Sequence, residues 1–238
     1  MNLADRHILI TGGARGLGCA FAQAAVGAGA RVTIADILES GPAVAASLGA
    51  QFMHVDLASP ASIDNALSGL QALDGLVNNA AITDSGGRSL EELDVETWDR
   101  VMAVNVRGPW LMTRACLPLL RASRGRVVNV ASDTVQWGAP KLLAYLSSKG
   151  AVVAMTRGMA RELGPQGITV NALDPGLTEV EATAYVPAER HRLYREGRAI
   201  ARAQLPHDVC GALLFLLSDD AAFMTGQVLP VNGGFVMN

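Results

Sequence analysis

The stretch HILITGGARGLG, at residues 7–18, decides the fold class of this chain. Its first five residues form a short apolar run, which is typical of a buried strand, and glycines end that run. Gly12, Gly16 and Gly18 then lead into a segment of helical composition. Glycines often serve only a turn, but here the start of a helix follows and offers unpaired backbone N–H groups to a phosphate.

Short apolar runs alternate with helical segments along the rest of the chain. Strands are expected at 7–11, 31–36, 51–57, 75–81, 126–132, 168–176 and 227–234. Nearly continuous apolar strands that alternate with helices indicate a parallel sheet with helices on both faces. We therefore predict a single dinucleotide-binding and catalytic domain over residues 1–238, with an α/β, doubly wound (Rossmann) fold of about seven parallel strands.

Two segments depart from this regular alternation. A long helical stretch from about 95 to 122 contains Pro109 and Pro118, which we expect to interrupt or bend it. Residues 177–205 are more charged than the other connections and lie between a strand and the last helix. Because long segments in compact domains often serve as lids or binding loops, we expect this one to cover a substrate site.

Composition and charge argue against several classes of partner. The net charge of −3, with no strong basic stripe, gives no reason to expect nucleic acid. The N-terminal apolar run is too short for a signal peptide or a membrane span. Cys19, Cys116 and Cys210 are scattered without metal-ligand spacing. We expect a cytoplasmic protein that binds no metal, membrane or nucleic acid.

Asp36 ends the second predicted strand, RVTIAD. A carboxylate there can accept hydrogen bonds from a ribose 2′-hydroxyl group and repels a 2′-phosphate, although a simple strand-end cap is the alternative. Arg15 favours the opposite choice, because a cation in the glycine loop can pair with a 2′-phosphate. The residue after Asp36 is Ile37, which adds no positive charge. We expect NAD as the cofactor, with NADP as the less favoured alternative.

Five features occur in one order along the chain: TGGARGLG at 11–18, NNAA at 78–81, Asn105, Ser132 and YLSSK at 145–149. In this combination the chain resembles the short-chain dehydrogenase/reductase family over essentially its whole length. The resemblance implies an oxidoreductase that uses a nicotinamide cofactor to interconvert alcohols and ketones. It also implies a homo-oligomer, a tetramer or a dimer, built through long helices.

The resemblance also implies which residues bind the cofactor. The glycine loop faces the pyrophosphate, Asp56 and the residue after it lie by the adenine, and the Pro-Gly pair at 175–176 lies near the nicotinamide. Ala81 and Val180 depart from the family pattern, which has glycine and threonine there; a hydroxyl group occurs earlier, at Thr178. The expected cofactor residues are Gly12, Arg15, Gly16, Leu17, Gly18, Asp36, Asp56, Leu57, Asn78, Ala80, Tyr145, Lys149, Pro175, Gly176 and Thr178. For Asp56 and Asn78, a purely structural role at a strand end is nearly as plausible.

Tyr145 and Lys149 have a spacing that suits acid–base chemistry. Residues i and i+4 share a helix face, so the Lys149 ammonium group is placed near the Tyr145 phenol. At roughly 5 Å and an effective dielectric near 20, a unit charge is worth about 3 kcal/mol, or roughly two pKa units. A phenolate near neutral pH then needs the positive charge of the oxidised nicotinamide as well. The resemblance implies a catalytic set of Asn105, Ser132, Tyr145 and Lys149, with a buried structural amide as the alternative for Asn105. Ser132 is expected to donate a hydrogen bond to the substrate oxygen.

The substrate pocket is expected to include Ser132 and the residues that follow it, together with the 177–205 segment. Besides Ser132, the candidates are Asp133, Gln136, Trp137, Leu142 and Tyr185, and a lid or surface role for these five is the alternative. We predict a small secondary alcohol or ketone as the substrate. Two other functions stay open: an NADPH-dependent 3-oxoacyl-carrier-type reductase, motivated by Arg15, and a non-catalytic dinucleotide-binding sensor or scaffold.

Overall fold

Seven parallel strands form one sheet in the computed structural model, which describes residues 1–237. They are β1 (His7–Thr11), β2 (Arg31–Asp36), β3 (Gln51–His54), β4 (Gly75–Asn78), β5 (Arg126–Val130), β6 (Thr169–Pro175) and β7 (Val228–Val231). The order across the sheet is β3-β2-β1-β4-β5-β6-β7, so the winding direction reverses between β1 and β4. The predicted doubly wound fold is confirmed, and its reversal point is where such sheets bind ligands, at the carboxyl ends of the strands.

Nine α-helices surround the sheet in the described part of the chain. They are α1 (Gly16–Gly27), α2 (Gly41–Leu48), α3 (Pro60–Leu67), α4 (Val95–Met102), α5 (Gly108–Ser123), α6 (Thr134–Trp137), α7 (Leu143–Leu163), α8 (Ala188–Gly197) and α9 (His207–Leu217). None of the helices within residues 1–237 is long and apolar enough to cross a membrane.

Alternate residues of the strands pack into two separate cores. On one face, Ile8 and Ile10 of β1 pack with Phe21 of α1 and Leu213 of α9. On the other face, Leu9 packs in the cluster that contains Met112 of α5. Because successive strand residues point to opposite faces, a strand must be apolar throughout to fill both cores. This is why the sequence of β1 reads as a continuous apolar run.

The irregularity in the long helical stretch lies earlier than predicted. We expected Pro109 and Pro118 to interrupt it, but the break is a π-helical turn at Ala103–Arg107. Pro109 lies in the first turn of α5, where a backbone N–H group is not needed, and α5 continues through Pro118. The π-helical turn surrounds Asn105, which is buried in it.

The segment at 177–205 follows β6 and makes hydrogen bonds with the loop that follows β4. It contains a 3₁₀ turn at Glu181–Thr183 and then α8. The Tyr185 hydroxyl donates to the carbonyl of Thr83, and the Thr83 hydroxyl donates to the carbonyl of Ala182 at 3.2 Å. Both bonds join the segment to the loop after β4. The segment therefore bridges the cleft between β6 and β4.

Candidate active site

The glycine loop has a backbone that only glycine accommodates at its key positions. Gly12 and Gly16 have φ values of +68° and +56°. A Cβ atom on Gly12 would lie 2.8 Å from the Ala80 Cα atom, and one on Gly18 would lie 2.0 Å from the Gly12 carbonyl oxygen. No side chain caps the start of α1. The loop therefore presents unpaired N–H groups and the positive end of a helix dipole, which fits the pyrophosphate of a dinucleotide.

Asn79, which the sequence reasoning did not single out, holds the glycine loop in place. Its Nδ2 atom donates to the carbonyl oxygens of Thr11 at 2.9 Å and Gly12 at 3.2 Å. The Thr11 hydroxyl in turn accepts from the backbone N–H groups of Asn79 and Ala80. These bonds tie the end of β1 to the end of β4. They fix Ala80, an expected cofactor residue, against Gly12.

Asn78 has a structural position instead of the one we expected. Its Nδ2 atom donates to Thr113 of α5 at 3.1 Å and to Asn129 of β5 at 2.9 Å, and the residue is buried. Its side chain is therefore buried between the sheet and α5 and does not line the cofactor cleft. The reason is the period-two alternation of β4, which turns Asn78 toward α5.

Asp36 lies beside the glycine loop and binds it directly. Its Oδ2 atom accepts from the backbone N–H of Ala14 at 3.0 Å, and Oδ1 accepts from Ile37 at 2.8 Å and Leu38 at 3.1 Å. The carboxylate therefore caps the end of β2, as the alternative reading proposed, and it also places a negative charge next to the loop. The Arg15 side chain is exposed.

Asp56 also forms a turn at its strand end, because its Oδ1 atom accepts from the backbone N–H of Ala58 at 2.8 Å. Leu57 is buried, and a Cβ atom on Gly108 would lie 3.0 Å from the Leu57 Cβ atom. Leu57 therefore contributes packing against α5. Its backbone and the remaining acceptor positions of the Asp56 carboxylate are left for a nucleotide.

The four expected catalytic residues converge at the carboxyl end of β5. Ser132 follows that strand, and Tyr145 and Lys149 lie on one face of α7. The Lys149 Nζ atom is 5.7 Å from the centre of the Tyr145 ring and donates to the carbonyl of Val130 at 2.7 Å. The Ser132 hydroxyl accepts from the Thr134 hydroxyl at 3.0 Å. The i, i+4 spacing thus places phenol and ammonium group side by side.

Burial dominates the acid–base properties of this pair in the protein alone. It raises the pKa of Tyr145, and a hydrogen bond with Ser132 acts in the opposite direction. Burial also lowers the pKa of Lys149 to about 8, while the charge of Asp174 raises it. Both shifts arise because burial disfavours the charged form. A phenolate at neutral pH therefore needs positive charge beyond that of Lys149.

Asn105 is held by bonds to the loop after β4 and to α7. Its Oδ1 atom accepts from Ile82 N at 2.7 Å, and its Nδ2 atom donates to the Ile82 carbonyl at 3.0 Å and to the Ser148 hydroxyl at 3.1 Å. The Ser148 hydroxyl donates to the carbonyl of Tyr145 at 2.6 Å. The π-helical turn thus brings Asn105 to the catalytic helix through Ser148, a residue to which sequence reasoning assigned no role.

Replacing Ser148 with alanine is expected to lower the free energy of unfolding by about 1–3 kcal/mol, because a buried donor of Asn105 then loses an acceptor. Urea denaturation followed by circular dichroism measures this change. Ser147→Ala is the matched control: Ser147 is the adjacent residue and is only half-buried. It should change stability by less than about 0.5 kcal/mol. Equal losses in the two variants would contradict the role given to Ser148.

The expected substrate residues are distributed differently from the prediction. Asp133 is fully buried and accepts a hydrogen bond from the Tyr194 hydroxyl of α8 at 2.7 Å, so it faces α8 rather than an open cleft. Trp137 Nε1 donates to the same hydroxyl at 3.1 Å. The Trp137 ring packs edge-on against Tyr194 and Phe235. Sequence reasoning missed Tyr194 because its helix reads as a charged, solvated face.

The end of β6 is closely packed around the Pro-Gly pair. A Cβ atom on Gly176 would lie 3.0 Å from side-chain atoms of Arg198, Asp133 and Gln204. The Thr178 hydroxyl donates to the carbonyl of Gly176 at 3.1 Å, and the residue is buried. Pro175 ends β6. The Thr178 hydroxyl therefore makes a hydrogen bond within its own loop.

This geometry combines a phosphate-binding loop with a proton-transfer group. The glycine loop and Asp36 lie at the ends of β1 and β2, and Ser132 with Tyr145 lies beyond β5 on the same edge of the sheet. A phenol beside an ammonium group can move a proton to or from a substrate oxygen. A dinucleotide along this edge would therefore reach both places.

Comparisons with known proteins identify the family. A family model described as Enoyl-(Acyl carrier protein) reductase matches residues 12–236. The chain is 37% identical over 242 residues to 3-alpha-(or 20-beta)-hydroxysteroid dehydrogenase of Mycobacterium tuberculosis, covering 98% of this chain and 90% of that protein. It is 38% identical over 255 residues to 2-(S)-hydroxypropyl-CoM dehydrogenase 3 of Xanthobacter autotrophicus, covering 98% and 97%.

A solved structure shows the same fold. It is the 3-ketoacyl-(acyl-carrier-protein) reductase from Brucella melitensis complexed with NADH, with a TM-score of 0.93 at 32% sequence identity. The match covers 99% of this chain and 100% of that chain. These relatives are oxidoreductases of one family, and the matches to them cover 98–99% of this chain. The chain therefore belongs to the short-chain dehydrogenase/reductase family and is an NAD(P)-dependent oxidoreductase acting on CH–OH groups.

Proposed function

We propose that this enzyme transfers a hydride between NAD(H) and a small secondary alcohol or ketone, with Tyr145 as the general acid and base. The observation that carries the proposal is the placement of Tyr145 and Lys149 on one face of α7 beside Ser132. Relatives whose names specify a hydroxysteroid or a hydroxypropyl group support a secondary hydroxyl as the reacting group.

Each residue then has a defined task in alcohol oxidation. The N–H groups of the glycine loop hold the pyrophosphate, and Asp36 holds the ribose hydroxyls. When bound, the nicotinamide ring supplies the hydride acceptor. The Ser132 hydroxyl donates to the substrate oxygen, and the Tyr145 oxygen takes its proton. Lys149 stabilises the phenolate by its charge, because it lies 5.7 Å from the ring centre. In ketone reduction the same proton moves back from Tyr145.

Asp36 is the reason to favour NAD. Its carboxylate is anchored to Ala14 of the loop, so a 2′-phosphate placed there would meet a fixed negative charge. Arg15 is exposed and supports the alternative of an NADPH-dependent 3-oxoacyl-carrier-type reductase. Retention of Asn105, Ser132, Tyr145 and Lys149 argues against a non-catalytic sensor or scaffold.

We place the substrate beneath the segment at 177–205, which serves as a lid. The Tyr185 hydroxyl donates to the Thr83 carbonyl, and the Ala182 carbonyl accepts from the Thr83 hydroxyl, so the segment is tied across the cleft. Trp137 supplies an apolar wall at the other end. The three free cysteines suit a reducing compartment, and the cytoplasm is the location we propose.

We also propose that the chain forms a homo-oligomer through the groove between α4, α5 and α7. The groove is lined by Val95, Met102, Val106, Trp110 and Met155, together with charged residues of both signs, Glu96, Asp99, Arg100 and Arg107. Val95 is 74% exposed and Trp110 is 46% exposed in the chain alone. Exposed apolar residues with charges of both signs suit a self-complementary interface between two copies.

Replacing Trp110 with arginine is expected to reduce the mass of the particle in solution at least twofold, because the new charge is buried at the centre of the proposed interface. Light scattering after size exclusion measures it. Leu90→Arg is the matched control: Leu90 is 75% exposed but lies outside the groove. It should leave the mass unchanged. A monomeric parent protein would contradict this interface.

The proposed function is tested by a screen of secondary alcohols with NAD⁺ and with NADP⁺, and of ketones with NADH and NADPH. The absorbance of reduced nicotinamide reports turnover in each case. We expect turnover of secondary alcohols with NAD⁺ as the better cofactor. Turnover confined to ketoacyl thioesters with NADPH would favour the alternative reductase.

A further inference from the structure

Asp174 is a buried acid that the catalytic scheme above does not use. It lies near the end of β6, is fully buried, and Leu173 before it pairs with Val130 of β5. Lys149 donates to the carbonyl of that same Val130 at 2.7 Å. The Lys149 ammonium group is therefore held at Val130, and the residue that pairs with Val130 across the sheet directly precedes Asp174.

The strand alternation places the Asp174 side chain on the same face as α7. Ala172 of β6 and Ala131 after β5 pack against Val152 of α7. Residues two apart along a strand share a face, so Asp174 points to the α7 side as Ala172 does. Lys149 lies three residues before Val152, which is the neighbouring turn on that helix face. Both side chains therefore enter the same buried layer.

One oxygen of the buried Asp174 carboxylate lacks a hydrogen-bond partner within residues 1–237. Gln136 of α6 donates to its Oδ2 atom, and the Ser132 backbone N–H also faces it. The Oδ1 atom is buried and has no hydrogen-bond partner among the described residues. Leaving a buried charged oxygen unpaired is costly unless a nearby charge compensates it. Lys149 is the cation that enters this layer.

Other charged groups face the same layer. Asp133 lies on the side of this layer that faces α8. Its Oδ1 atom accepts from the Tyr194 hydroxyl, and its Oδ2 atom is buried without a partner among the described residues. Burial raises the pKa of Asp133 to about 7, the hydrogen bond from Tyr194 lowers it, the charge of Asp174 raises it, and the charge of Arg198 lowers it. Asp174 instead interacts with Lys149, which opposes the rise in its own pKa to about 6. Asp133 is therefore bonded to α8, and Asp174 is the acid whose charge acts on Lys149.

We propose that Asp174 is a positioning residue that acts through Lys149: it is the buried counter-charge that keeps the Lys149 side chain an ammonium ion. The consequence for catalysis rests on the proposed function, in which Lys149 stabilises the Tyr145 phenolate. Removing the charge of Asp174 lets Lys149 lose its proton at a lower pH. Phenolate formation at Tyr145 also becomes easier, because Asp174 and Asp133 both raise the pKa of Tyr145.

The composition of the chain permits a direct test that does not depend on turnover. Lys141 and Lys149 are its only lysines, so protein labelled with ¹³C-lysine gives two side-chain NMR signals. Lys141 is exposed and serves as an internal control. The Lys149 signal is followed against pH in the parent protein, Asp174→Asn, Asp174→Glu and Asp133→Asn.

In Asp174→Asn we expect the pKa of Lys149 to fall by about one unit or more, which is a tenfold change in its ionisation constant. Asp174→Glu keeps the charge and should restore most of the parent value. Asp133→Asn should leave Lys149 nearly unchanged, because Asp133 is bonded to Tyr194 of α8 and only Asp174 acts on Lys149 by its charge. An unchanged Lys149 titration in Asp174→Asn would overturn the proposal. If that variant does not fold, Gln136→Ala weakens the hold on the Asp174 carboxylate from a more exposed position and should lower the pKa of Lys149 by a smaller amount; no shift there would equally overturn it.

The pH profile of kcat/KM separates this proposal from the proposed function. In Asp174→Asn both limbs should move to lower pH, since Lys149 and Tyr145 both lose the influence of a negative charge. Asp133→Asn should move only the acidic limb. Absence of turnover in the parent protein, combined with the expected NMR shift, would refute the proposed reaction and leave the pairing of Asp174 with Lys149 standing.

Discussion

Replacing Tyr145 with phenylalanine is expected to lower kcat by about two to four orders of magnitude, the usual contribution of a positioned acid or base. The substitution removes only the hydroxyl group that moves the proton, and the ring keeps its packing on α7. Because Tyr145 is not needed to hold the glycine loop, affinity for NAD⁺ should fall far less than turnover. Steady-state kinetics and quenching of tryptophan fluorescence by the cofactor measure the two effects.

Tyr185→Phe is the matched control for this prediction. Tyr185 also lies at the cleft, but its hydroxyl donates to the carbonyl of Thr83 rather than pointing to Ser132. We expect its loss to raise KM through a looser lid, with a much smaller effect on kcat. Near-parent turnover in Tyr145→Phe would exclude Tyr145 as the acid and base.

Replacing Asp36 with alanine is expected to change the preference for NAD over NADP by at least one order of magnitude. The variant loses hydrogen bonds from a charged acceptor to the ribose, worth about 1.5–3 kcal/mol each, and loses the repulsion of a 2′-phosphate. It also loses three bonds to backbone N–H groups, which lowers stability. The ratio of kcat/KM for the two cofactors is the useful quantity, because a loss of folded protein cancels in it.

Asp56→Ala is the control for Asp36→Ala, because it removes the same side chain from the end of the next strand. Asp56 is expected near the adenine, which NAD and NADP share, so its loss should weaken both cofactors alike. An unchanged cofactor ratio in Asp36→Ala would show that Asp36 only caps β2, and the argument for NAD would fail.

The strands and the family motifs could be predicted from sequence because they depend on local pattern. The β-branched run RVTIAD is observed as β2 with the predicted bounds. The predicted strand at 75–81 ends earlier, at Asn78. Past that point the chain leaves the sheet to bind the glycine loop, a contact between distant residues that local composition does not contain.

Side-chain direction was the harder part of the site. Asn78 and Asn79 are adjacent and identical, yet one bonds α5 and the other holds Gly12, because Asn78 is the last residue of β4 and Asn79 begins the loop after it. Asp133 and Asp174 are far apart in sequence and meet only through the pairing of β5 with β6. A buried acid cannot be recognised until its neighbours are known, so Asp174 was missed and Asp133 was given to the substrate.

The central claim is hydride transfer to NAD⁺ with Tyr145 taking the proton, and one comparison tests it most directly. Parent protein and Tyr145→Phe are mixed with NAD⁺ and a panel of secondary alcohols, and reduced nicotinamide is followed by absorbance while cofactor binding is measured on the same samples. We predict that both proteins bind NAD⁺ and that only the parent reduces it at a substantial rate. Binding without turnover in the parent, or equal turnover in the two proteins, would contradict the claim.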